Sequence, residues 1–152
     1  MILEKIANRK VVTVSGSENL KEASKLMRDR HVGSLVVVKK EGLREIPVGV
    51  LTDRDIVVST CAFGIPPDGV LVRDVMSSEF VSAKISDSFY HVLNLMKEHG
   101  IHRIPLVDGT GSISGIVTSH ELLAVLADEL ELVVKVSDRQ HEVESERRPH
   151  LL

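Results

Sequence analysis

The chain has 152 residues, 43% hydrophobic, 27% charged and 3% aromatic, with no Trp and a net charge of −3. That length suits one domain or two small repeats around an aliphatic core. The acidic balance and scarce aromatics leave no electrostatic case for nucleic-acid binding and no base-stacking surface. The single cysteine, Cys61, rules out an internal disulfide and a multi-cysteine zinc site, and it fits a reducing cytoplasm. The start, Met1 to Lys5, turns charged at once and reads as no signal peptide. The apolar runs are too short to cross a bilayer. The expectation is a cytoplasmic protein that binds neither nucleic acid nor membrane.

In chain order, residues 3–7 read as a short helical lead-in and Val11 to Val14 as a strand. Ser15 to Asn19 is a turn with helix-cap chemistry. Leu20, Ala23, Leu26 and Met27 then share one face at helical spacing, with Lys21, Glu22, Lys25 and Arg28 opposite. Val32-Gly33 ends that helix. Leu35 to Val38 is short, β-branched and apolar, a buried strand. Lys39 to Glu45 reads as a charged hairpin tip, and its return strand runs to Thr52.

At Gly49-Val50-Leu51-Thr52-Asp53-Arg54-Asp55-Ile56 a strand runs straight into a helix N-terminus. Free N–H groups and the positive end of a dipole make such a junction a seat for phosphate. Asp55, one turn in, can accept hydrogen bonds from vicinal hydroxyls such as those of a ribose. The same spacing also describes a capping box, with Thr52 and Asp55 satisfying each other's backbone. The two readings coexist.

Residues 61–69 hold two prolines and two glycines and read as a linker. The first half is then replayed. Leu3, Ile6, Val12, Leu20, Leu26 and Met27 map onto Val72, Val75, Val81, Phe89, Leu95 and Met96 at a constant offset of 69. The second hairpin is three residues shorter, so Gly49, Thr52 and Asp55 map onto Gly115, Thr118 and Glu121 at an offset of 66. Such a repeat decides the fold. The expectation is an α+β protein of two tandem β-α-β-β-α units, packed sheet to sheet about a pseudo-twofold. Residues 1–60 form the first unit, 61–69 the linker, 70–130 the second, and 131–152 a charged C-terminal tail. One unit alone would bury too little surface. The tail starts amphipathic, either extending the last helix or adding a strand, and its charged remainder reads as a solvated, mobile end.

Paired units that each end Gly-φ-φ-Thr-x-x-acid-φ, with His102-Arg103-Ile104-Pro105-Leu106-Val107 on the second strand of the second unit, resemble tandem cystathionine-β-synthase (CBS) domains, the Bateman module. The resemblance covers residues 1 to about 130. It implies a non-catalytic, dimeric sensor of adenosyl ligands (AMP, ADP, ATP or S-adenosylmethionine) that requires no cofactor and regulates a protein partner in trans. Magnesium would accompany ATP only. Carried over by position, Asp55 would hold ribose hydroxyls and Thr52 would contact ribose or phosphate. Arg54, His102 and Arg103 would face phosphate, with Pro105 in the same motif. Backbone around Ser34, Leu35 and Val36 would read the adenine edge, and Val12 and Val14 would sandwich the ring. The second unit departs from the pattern: Glu121 stands for Asp, and Ser119-His120 replace Asp53-Arg54. The expectation is one good site on Asp55 and a weaker one around Thr118, His120 and Glu121. A nucleotide-free dimerisation platform is the rival reading.

Other chemistry is poorly supported. His99 and His102 lack companion ligands at metal-site spacing. No nucleophile elbow or phosphate loop occurs, and Asp53 and Asp55 point different ways on a helix.

Overall fold

A computed structural model describes residues 3–77 and 79–147. In the first repeat, a 3-10 turn (Leu3–Lys5) precedes β1 (Thr13–Ser15), α1 (Leu20–Arg30), β2 (Ser34–Glu41), β3 (Arg44–Thr52) and α2 (Asp53–Thr60). A second 3-10 turn (Pro67–Gly69) leads to α3 (Val72–Val75), β4 (Ala83–Lys84), α4 (Phe89–His99), β5 (Arg103–Val107), β6 (Ile113–Thr118) and α5 (Ser119–Arg147). Two three-stranded sheets result, ordered β1-β2-β3 and β4-β5-β6. In each, the first pair is parallel and the second antiparallel.

The repeat extends to the irregularities. Leu35 pairs with Leu51 as Ile104 pairs with Val117. A register shift falls between Val37 and Val38, and again between Leu106 and Val107. The α1 and α4 helices are capped alike: Asn19 Oδ1 accepts the Glu22 N–H at 2.9 Å, and Ser88 Oγ accepts the His91 N–H at 3.2 Å. Both helices end in a left-handed residue, His31 (φ 54°) and Gly100 (φ 62°). The first hairpin is longer in strand than its charge suggests. Lys39, Lys40 and Glu41 pair with Ile46, Glu45 and Arg44, so only Gly42 and Leu43 form the tip. Edge pairing tolerates exposed charges because only the backbone is shared.

There are two aliphatic cores, and their membership crosses the repeats. Leu3, fully buried, joins Ala83, Phe89, Val92, Met96, Ile104, Leu106, Val117 and Leu122 of the second repeat. Val72, also fully buried, joins Leu20, Ala23, Met27, Leu35, Leu51 and Ile56 of the first. Backbone bonds fix the exchange: Leu3 N–H to Asp87 O, Asn8 bridged to Ile116, and Val72 N–H to Glu18 O at 2.8 Å. The linker is therefore tied down at its far end, where the Leu20 N–H donates to Val70 O.

The charged tail is helical as far as Arg147, and its last stretch, 148–152, lies outside the described residues. The α5 helix runs unbroken from Ser119 to Arg147, about 43 Å long at 1.5 Å per residue. Glu131–Lys135 and Arg139–Glu142 ion pairs and a Gln140–Glu144 hydrogen bond lie along it at helical spacing. Charge that reads as solvation thus also supports a helix. Beyond Val125 every described residue except Val143 is exposed, so this stretch stands off the body. Among the described residues, no helix is long and apolar enough to cross a membrane.

Candidate functional site

The capping box is present. The Thr52 N–H donates to Asp55 Oδ2 at 2.8 Å, and Thr52 Oγ1 accepts the Asp55 N–H at 3.1 Å. This leaves Asp55 Oδ1 and the Thr52 hydroxyl proton without a protein partner among the described residues. Both groups are half-buried and border one cavity of about 380 Å³. Capping and ligand contact can be served by the same two side chains, because each uses one valence for the helix and keeps another.

That cavity lies between the repeats. Val50, Thr52, Arg54 and Asp55 supply one wall, and Phe80, Val81, Ile101, His102 and Arg103 the other. Asp53, Ser77 and Glu79 also border it. Ser77 is positioned by strand β3: the Val50 N–H donates to Ser77 Oγ at 3.2 Å, and the Ser77 N–H to Val50 O at 3.1 Å. The ionisable lining comprises the guanidinium groups of Arg54 and Arg103 and the carboxylates of Asp53, Asp55 and Glu79, with His102 besides. Its formal balance is slightly negative.

A second cavity, about 210 Å³, is the pseudo-symmetric counterpart. Here Val12, Ser34, Val36, Val32 and Gly33 of the first repeat face Ile116 and Thr118 of the second, and Arg103 borders both cavities. Each cleft cavity thus joins the strand-to-helix junction of one repeat to the strand walls of the other. Val12, Ser34 and Val36 lie with Thr118 rather than with Asp55. The positions that accompany Asp55 are their equivalents at offset 69, Val81 and Arg103, with Phe80 and Ile101. Sequence reasoning missed Phe80, Val81 and Ile101. The signal was there, because the repeat maps Val12 onto Val81, but only packing shows which repeat supplies each wall.

The remaining candidates are placed elsewhere. Leu35 is buried in the first core. Val14 is also buried there and lines a different cavity. Pro105 is buried in β5 opposite Ile116 and borders neither cleft cavity. Among the described residues, no cluster of His, Cys, Asp and Glu could hold a metal ion.

The second junction is built differently. Glu121 Oε2 accepts both the N–H and the hydroxyl of Thr118, so the threonine proton is consumed. Burial opposes ionisation of Glu121, but the bonds from the Thr118 hydroxyl and backbone outweigh it and hold the carboxyl below its ordinary range. Neither Glu121 nor His120 borders the second cavity. The extra methylene lets the carboxylate fold back onto its own threonine. Nearby, the Ser119 N–H donates to His102 O at 2.8 Å, as the Asp53 N–H does to Gly33 O at 3.0 Å.

The CBS domain family model matches residues 3–59 and again 72–128. The CBS domain-containing protein YhcV of Bacillus subtilis is 40% identical over 113 residues, covering 74% of this chain and 76% of its own. An uncharacterized protein of Methanopyrus kandleri, MK0525, is 35% identical over 120 residues, covering 79% of this chain; the match spans 60% of that longer protein. Among solved structures, the CBS domain pair of protein MJ0100, in complex with 5′-methylthioadenosine and S-adenosyl-L-methionine, matches with a TM-score of 0.70 at 21% identity, over 83% of this chain and 99% of that one. Two family matches on two β-α-β-β-α units of the same strand order and pairing place this chain in the CBS domain family, as a tandem pair.

Proposed function

We propose that this chain is a regulatory module that binds an adenosyl ligand between its two repeats and conveys occupancy to a protein partner. The observation that carries the reading is the shared cavity. It gathers a free carboxylate oxygen of Asp55, the free hydroxyl proton of Thr52, two guanidinium groups and an apolar wall of Phe80, Val81 and Ile101. Asp55 accepts the ribose hydroxyls, the apolar wall takes the base, and Arg54 with Arg103 and His102 takes phosphate. The reading is of a binding module rather than an enzyme, because the carboxylates, cations and apolar wall of the cavity match the parts of an adenosyl ligand.

The charge balance narrows the ligand. Three carboxylates against two guanidinium groups suit few negative charges, so AMP or an adenosyl compound without phosphate is favoured over ATP. The adenosyl ligands of the MJ0100 pair, a relative at fold level, belong to this class. Regulation follows if the ligand favours one arrangement of the two repeats over another, because only differential affinity shifts an equilibrium. The apolar residues exposed on α5, among them Leu126, Leu130, Val133 and Val134, support a second copy of the chain as structural partner, since a homodimer supplies a matching face for each.

A thermal-shift panel of AMP, ADP, ATP and S-adenosylmethionine tests the site. A ligand that binds only the folded state raises the midpoint. The expected result is a rise with AMP or S-adenosylmethionine that disappears in Asp55→Ala. No rise with any of the four would overturn it in favour of a nucleotide-free platform.

A further inference from the structure

A third cavity, about 670 Å³, shares no lining residue with either cleft cavity. Three cations border it: Lys39 and Lys40 from β2, and Arg73 from α3. Thr13, Ser15 and Ser17 add hydroxyls, and Glu45 is its one carboxylate among the described residues. Val48 and Met76 give it an apolar wall. Lys39 reaches Glu41 at 3.6 Å, and Glu41 is also held by Arg44 at 3.3 Å. Among the described residues, Lys40 and Arg73 have no ion pair. A chain of net charge −3 thus gathers unpaired cations around its largest described cavity.

The second repeat serves as an internal control. At offset 69, Arg73 corresponds to Glu4, Lys39 to Asp108, Lys40 to Gly109 and Gly16 to Ile85. The charges are reversed or lost, and Ile85 packs against the second core where Gly16 leaves only backbone. The same fold closes without this basic rim, so folding does not require it. Like charges brought together repel one another, and an anion relieves the cost.

We propose that this cavity is a second ligand site, specific for a small molecule bearing a phosphate or pyrophosphate group, with Arg73, Lys40 and Lys39 as its charge contacts. The Arg73 guanidinium suits bidentate contact with phosphoryl oxygens, the lysines neutralise the remaining charge, and the hydroxyls donate the shorter bonds. Val48 and Met76 receive the apolar part of the molecule.

Sodium pyrophosphate is the probe, titrated at low salt by calorimetry and by amide NMR. Saturable binding is expected, with shifts centred on Gly16, Ser17 and Arg73. Arg73→Glu should weaken it by about tenfold or more, the scale of one charge-assisted hydrogen bond. Lys39→Glu with Lys40→Glu is the second variant. All three side chains are exposed, so folding should survive, as circular dichroism would verify. Asp55→Ala should leave pyrophosphate affinity unchanged. Shifts centred on Arg54, His102 and Arg103, affinity indifferent to both charge reversals, or no saturable binding would each overturn the proposal. Adenosyl binding in the cleft is read separately, by the thermal-shift response that is lost in Asp55→Ala.

Discussion

Thr52 and Asp55 satisfy each other's backbone N–H, at 2.8 Å and 3.1 Å, and each still presents one free group to the cleft between the repeats. Asp55→Ala should therefore have two separable effects. Loss of half the box should cost about 1 kcal/mol, a fall of roughly 2–4 °C in melting temperature for a chain this size. The stabilisation by AMP or S-adenosylmethionine should vanish as well. Asp55→Asn should recover most of the stability, since Asn also caps, while ligand affinity stays weak. Melting curves with and without ligand for the three proteins check this.

Leu3 lies in the first repeat's sequence but in the second repeat's core. Leu3→Ala should destabilise by about 2–5 kcal/mol, the usual range for a buried leucine. The loosening should appear first as faster hydrogen exchange in α4 and β5, not in α1 and β2. Faster exchange confined to the first repeat would contradict the packing described.

Acidification should weaken the second junction. The Glu121 carboxyl is held below its ordinary range in the folded chain, so its contribution is present at neutral pH and is lost as pH falls through the lowered value. Glu121→Gln should flatten the part of the stability profile below about pH 4, near and under the ordinary glutamate range. Denaturant midpoints from pH 7 to pH 3 for both proteins measure it.

His31 holds a left-handed conformation at φ 54°, where the second repeat has Gly100 at φ 62°. That conformation costs a side-chain-bearing residue roughly 1–2 kcal/mol. Glycine gives back roughly 0.4–1 kcal/mol through the freedom of the unfolded chain. His31→Gly should therefore stabilise by up to about 1 kcal/mol, read from a chemical denaturation midpoint.

The exposed face of α5 carries Leu130, Val133 and Val134. Val133→Glu with Leu130→Glu should leave the melting temperature of the two cores unchanged within about 2 °C, because these residues touch neither core. The same change should dissociate the proposed homodimer. Analytical ultracentrifugation of both proteins decides the matter.

The repeat was legible in the sequence because β-α-β-β-α units leave a matched periodicity, and Leu20 and Phe89 or Met27 and Met96 do take equivalent buried places. The junction at Thr52 was legible because capping is local chemistry. The pairing of walls was not. Val12 and Val81 have the same pattern and hydrophobicity, and only the packing of the two sheets brings Val81 rather than Val12 to Asp55. Helix α5 was half legible. Its charges argued for solvation, which holds, while the spacing of Glu131 with Lys135 and of Gln140 with Glu144 also builds a helix. Lys39 to Glu41 misled in the same way, since their exposure is real and their strand pairing depends on backbone alone.

The trade of Leu3 for Val72 makes the two halves an intertwined dimer written on one polypeptide. Were they separate molecules, each would have to lend its opening turn to another, and core completion would fall off on dilution. Residues 61–69 replace that encounter with a tethered one, at an effective concentration on the order of millimolar for a short connection. Both interiors can then close at any cellular abundance, whatever becomes of the outer contacts.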